Sequence, residues 1–205
     1  MSKALKNLSR SLGGTPQEIN KLFTYMKTDS VRGAVASMSS LIEEALAGAI
    51  KKRLVPLTDK EEWNLFENNG PLSTLSSRIN MGYALGIYGA KARRDLNLLR
   101  EIRNAFVHSI RHIEFDTPEV AQLCATFYCG EAIKDFKKDA PRDQYFQAAT
   151  RVSMYVGRDE YDEVWKRMLM SYPEYEGDPP QTIRDRQPST SLPEDNDPGR
   201  ATNEA

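Results

Sequence analysis

Two histidines and two cysteines among 205 residues leave little material for metal or redox chemistry. Cys124 and Cys129 stand five apart, outside the two-residue spacing of zinc and dithiol motifs, and predict buried thiols rather than a disulfide framework. Long apolar runs are missing too. The longest uncharged stretch, Ile79 to Ala90, holds three glycines and falls far short of the roughly 20 apolar residues of a bilayer span. Met1 to Gly14 is polar and basic, with no apolar signal core, so a cytoplasmic location is expected. Neither sign of charge dominates. With Lys+Arg 28 against Asp+Glu 29, the net charge is −1, which argues against a uniformly basic nucleic-acid sleeve. No glycine-rich phosphate loop, serine–histidine–aspartate set or cofactor motif is present, so no cofactor and no metal are expected. Alternating apolar and polar residues are also lacking, which removes half-buried strands.

Helical periodicity fills the space those absences leave. Thr15-Pro16-Gln17-Glu18 predicts a capped helix through Ile19, Leu22, Phe23 and Met26. Val31, Val35, Met38, Ile42, Leu46 and Ile50 predict a long one from about Ser30 to Arg53, and Thr58 to Glu61 forms a second capping box before Trp63 and Phe66. Leu72, Leu75, Ile79 and Leu85 mark a helix ending near Gly86 to Gly89. Ala90 to about Ile110 is the clearest of all, Asp116 starts another running through Phe127 to Ile133, and Pro141 opens a last pair divided near Gly157. The aromatic residues Tyr25, Trp63, Phe66, Tyr83, Tyr145 and Tyr155 fall on apolar faces, as core or interface residues.

The expected class is therefore all-α, a single-domain bundle of six or seven helices. Its expected limits are a flexible N-terminus over 1–14, a helical domain over 15–172 and a disordered acidic, Pro-rich tail over 173–205. Six of the eleven prolines fall in that tail, and its eight acids against three arginines give −5, leaving +4 on residues 1–172. The positive surplus is local. Lys91 to His112 holds six cations (Lys91, Arg93, Arg94, Arg100, Arg103, Arg111) against Asp95 and Glu101.

Within that basic helix Leu99, Ile102, Phe106 and Ile110 share one face, whereas Arg100, Asn104, His108 and His112 follow one another every four residues on a different one. Arg103 and His108, five apart, are separated by about 140° around an ideal helix, so the arginine must reach round or the helix must loosen for them to share a ligand. Such groups suit metal-free RNA cleavage: a histidine moves a proton, an arginine forks onto the phosphate, and an asparagine orients either. One histidine cannot serve as acid and base together, so two copies of the helix would have to meet across a homodimer. The same residues also fit a plain structural role, with the arginine paired, the asparagine bonded and the histidine at the negative end of its helix.

Arg103-Asn104 followed by His108, late in a long helix, resembles the signature of the HEPN superfamily. That resemblance implies a dimeric, metal-independent endoribonuclease of toxin or defence type, with Arg103, Asn104 and His108 catalytic and Arg100, Arg111 and His112 as phosphate or RNA contacts. A second resemblance covers more of the chain, roughly residues 30–124. Gly70-Pro71-Leu72-Ser73-Thr74-Leu75, Arg78-Ile79, Tyr83-Ala84-Leu85-Gly86 and Leu99-Arg100-Glu101 are similar to the mannitol operon repressor (MtlR-like) family. It implies an all-helical transcriptional regulatory protein acting through protein–protein contacts without a helix-turn-helix. The partners expected are thus a second copy and either a protein or RNA, with no direct sequence-specific DNA reading and no membrane.

Overall fold

The computed structural model describes Thr24, residues 29–157 and Tyr175. Six α-helices and two short 3₁₀ turns account for most of these residues, and no strand occurs among them. The helices are α1 (Val31–Lys51), α2 (Asp59–Phe66), α3 (Leu75–Ala84), α4 (Ala90–His108), α5 (Pro118–Cys124) and α6 (Pro141–Val156). The helix predicted over residues 15–26, apart from helical Thr24, and the one predicted after Gly157 lie outside the described residues, as do the 1–14 terminus and most of 173–205.

α1 is the central rod. Ser30 caps it by accepting from the Gly33 N–H at 3.1 Å, and its stripe of Ala34, Val35, Met38, Ile42, Leu46 and Ile50 is buried against α3, α4 and α6. α2 opens on the expected capping box, Thr58 with Glu61, where the hydrogen bonds to Thr58 hold the exposed glutamate below its usual carboxylate range. α3 begins later than its apolar pattern suggests. Thr74 and Ser77 form their own capping box, which leaves Leu72 buried in the preceding turn.

One arginine organises that turn. Arg78 is buried and donates to the carbonyls of Leu72 at 2.8 Å, Phe66 at 2.9 Å and Glu43 at 3.2 Å, with its guanidinium over the Phe66 ring. The carbonyl at the end of α2, that of Leu72 in the turn and that of Glu43 within α1 are thus joined by a single cation. This explains why an arginine stands within a segment otherwise read as apolar.

Between α3 and α4 the chain turns on Gly86, whose φ of 67° is the left-handed conformation that glycine adopts without a Cβ clash. The turn buries Tyr88, whose hydroxyl donates to the Ile79 carbonyl at 2.7 Å. Gly82 makes that approach possible, since a Cβ there would stand 2.7 Å from the tyrosine oxygen.

Two expectations are corrected. The helix opening at Pro118 ends at Cys124 rather than running to Ile133, and Cys129 lies in the 3₁₀ turn Tyr128–Glu131, not in an apolar helix. The backbone leaves the helix there because the N–H groups of Tyr128 and Cys129 are claimed by the Asp95 side chain of α4. Both cysteines are nonetheless free and buried, and burial pushes the Cys124 thiol up to about 12. Nor does α4 reach Ile110. It stops at His108, Ser109 turns extended, and Ile110 leaves the core face to stand fully exposed, with Phe115 taking the place against Phe106 at 4.9 Å between ring centroids.

Candidate functional site

α4 carries four of the six residues in which the sequence suggested chemistry, Arg100, Arg103, Asn104 and His108. Ala92, Asp95, Leu96, Leu99, Ile102 and Phe106 form its buried face, so the helix is anchored along its whole length by apolar area and one acid. Arg93, Asn97, Arg100 and Asn104, spaced by four, three and four, share a second, outer face that is partly buried and whose arginines reach α3.

The partners on that outer face are neutral. Arg93 donates to Asn80 Oδ1 at 3.1 Å with its guanidinium 4.3 Å from the Tyr83 ring centroid, and Arg100 donates to Ser76 Oγ at 3.1 Å. Arg94, on the flank, donates to the Thr126 carbonyl at 3.3 Å, and Arg103 to Asn104 Oδ1 at 3.0 Å. Among the described residues no ion pair involves an arginine of α4. The Nε atoms of Arg100 and Arg103 are buried and have no hydrogen-bond partner. Side chains thus hold the guanidinium groups in place without neutralising them, which keeps the face positive.

Of the six suggested residues, the structure joins Arg103 to Asn104 and sets Arg100 one turn earlier on the same face as Asn104. His108 follows one turn after Asn104 but stays apart from Arg103. It is exposed on the last turn, and since α4 stays regular to its end, nothing loosens to bring His108 toward Arg103. Arg111 and His112 lie beyond the helix altogether. Ser109 Oγ accepts from the Arg111 N–H at 3.1 Å and donates to its carbonyl at 3.0 Å, while Arg32 of α1 donates to the carbonyls of Ser109 at 2.7 Å and Arg111 at 3.3 Å. This clamp ends the helix and fixes the turn that carries Ile110. His112 Nε2 lies 2.9 Å from Glu114 Oε1, both of them solvent-facing, and no group of three histidine, cysteine, aspartate or glutamate side chains suited to a metal occurs among the described residues.

Two residues outside the suggested set carry the inner side of α4. Asp95 is completely buried, and its carboxylate accepts from the Tyr128 N–H at 2.6 Å, the Cys129 N–H at 3.0 Å and the Tyr175 hydroxyl at 2.8 Å. Burial raises its pKa, and these hydrogen bonds together with the nearby Arg94 oppose the rise. Tyr175 is itself buried, with its ring 4.9 Å from that of Tyr155, so it packs against the bundle. A signal for Asp95 was available: the spacing 95, 99, 102, 106 puts an acid in line with the apolar stripe. Tyr175, alone among prolines and acids, offered none.

A cleft of about 260 Å³ lies elsewhere, between α1 and α2, lined by Glu44, Lys51, Glu62, Trp63, Phe66 and Arg78 among others. Its charges are largely committed, because Lys51 pairs with Glu62 at 2.7 Å over the Phe66 ring and Arg78 caps carbonyls. The outer face of α4 is therefore the stronger candidate.

The comparisons with known proteins agree with an all-helical regulator's architecture. No curated protein matches the chain. The solved structure of the MtlR–HPr complex from Escherichia coli is similar in fold, with a TM-score of 0.55 at 18% identity over 67% of this chain and 97% of that one. The family model described as mannitol repressor matches residues 61–170, more than half of the sequence, which takes in α3, α4 and the whole basic face. This chain belongs to the mannitol repressor family.

Proposed function

We propose that the chain is a transcriptional regulatory protein that works by binding a protein partner on the outer face of α4. The observation that carries this reading is that the arginines of the face are held by neutral oxygens, leaving their charge for a contact that arrives from outside. An acidic patch on a folded partner fits such a face, since complementary charge steers encounter and sets register. The Arg32-clamped turn adds a fixed apolar tip, Ile110, beside exposed Val107. A related protein has been solved as a complex with HPr, which makes HPr from the same organism the first partner to test.

Calorimetric titration of the full chain with that HPr checks the reading. Saturable binding that weakens at least about tenfold in the double variant Arg93→Gln/Arg100→Gln, and with added salt, is the expected result. Binding that is untouched by the variant would move the interface off α4, and no binding would remove HPr as partner. The ribonuclease alternative rests on one feature, that His108 ends α4 exposed beside Val107 and Ile110, where a second copy could meet it. RNA cleavage in EDTA that disappears in both His108→Ala and Arg103→Ala would establish it in place of the regulatory reading.

A further inference from the structure

The basic face of α4 and the acidic end of the chain start from the same helix. Tyr175 is fastened to Asp95, and thirty residues follow it, carrying seven acids (Glu176, Asp178, Asp185, Glu194, Asp195, Asp197, Glu204) against Arg184, Arg186 and Arg200. On an ideal helix Arg94 lies about 100° of arc from Asp95 and again about 100° from Arg93, and Arg100 follows about 10 Å further along the axis. The flank of α4 thus lies between the anchor at Asp95 and the outer face.

We infer that the segment 176–205 docks on the outer face of α4 as a built-in competitor, its carboxylates meeting Arg93, Arg94 and Arg100. The inference rests on the regulatory reading for its purpose, not for its physics. Sixteen residues separate Tyr175 from Ser191, a maximum reach of about 50 Å that exceeds the roughly 28 Å length of α4, so the whole face lies within reach of the acidic cluster at 194–197. Tethering matters more than strength. A segment held this close has an effective concentration on the order of 1 mM, so a contact with a Kd of about 1 mM covers the face half of the time. The acceptors that now hold the arginines are a serine hydroxyl, an amide oxygen and a backbone carbonyl, all weaker than a carboxylate, so an arriving acid gains a charge-assisted bond. An external acidic partner then has to displace the tail. Any change that removes negative charge from 176–205 opens the face.

The full chain can be tested because both natural cysteines are buried. A nitroxide attached to Ser191→Cys should broaden the NMR amide signals of Arg93, Asn97 and Arg100 in dilute buffer. That broadening should be lost in the additional variant Glu194→Gln/Asp195→Asn/Asp197→Asn, and lost in about 1 M salt, where charges are screened beyond about 3 Å. Equal broadening with the neutral tail, or broadening confined to the surroundings of Tyr175, would overturn the inference. Because the measurement uses the free chain, failure of HPr to bind leaves it intact. Conversely, HPr binding with no tail-induced broadening would sink the docked tail alone.

Discussion

The two sides of α4 treat charge in opposite ways. On the inner side one carboxylate, Asp95, is withdrawn from water and given three donors, two from the backbone of a 3₁₀ turn and one from Tyr175. On the outer side Arg93 and Arg100 are only partly buried and are steadied by an asparagine and a serine. A buried charge must be fully paired, so it ends up serving architecture, whereas a half-exposed one can be oriented cheaply and left available. Arg78 repeats the inner solution with the opposite sign, donating to the carbonyls of Phe66 and Leu72 between α2 and α3 and to that of Glu43 in α1.

Breaking the inner side should have the largest effect. Asp95→Ala strands two backbone donors and a hydroxyl, each costing about 1–3 kcal/mol, so a loss of at least about 3 kcal/mol and a fall in Tm on the order of 10 °C are expected by calorimetry. A change below about 1 kcal/mol would show that the turn at Tyr128 holds without Asp95. The pH dependence has a definite sign. Because burial raises the carboxyl above its unfolded value, its contribution is fully present below about pH 4 and declines as pH rises through the raised value. The stability advantage of the native chain over Asp95→Asn should therefore narrow from acid toward neutral pH; a gap that widens would mean the hydrogen bonds outweigh desolvation.

Tyr175→Phe comes next. It removes one donor and leaves the ring against Tyr155, which predicts about 1–2 kcal/mol in denaturant unfolding, with no change in helix content. An unchanged midpoint would detach Tyr175 from the bundle and with it the anchor for the docked tail. Smallest is the outer side, where Arg93→Gln and, at the turn, Ile110→Ser should each alter stability by no more than about 0.5 kcal/mol. Equal cost on both faces of α4 would abolish the contrast between them.

How much of this was legible beforehand follows the range of the interactions. The capping box of α2 and the apolar stripe of α1 depend on neighbours three and four residues away, and they stand where the spacing put them. The end of α4 did not, because the clamp that stops it comes from Arg32, seventy-seven residues before Ser109. α5 was overextended for the same reason, as the carboxylate that draws Tyr128 and Cys129 out of helix sits thirty-three residues upstream of Tyr128. Within the candidate site, Arg100, Arg103 and Asn104 were correctly placed on a cationic helix. Arg111 and His112 were carried past a helix end that local periodicity could not see, and Asp95 was counted only as a compensating charge.

The amino-acid sequence by itself determined the class of the protein, the course of its helices and the concentration of cations between Lys91 and Arg111, because helical periodicity, caps and charge are properties of short windows. Tertiary structure decided what each charge is for. Only packing could bury Asp95, bring Tyr175 eighty residues back to it, and supply Asn80 and Ser76 as neutral rests for Arg93 and Arg100, since these contacts join segments the chain keeps far apart.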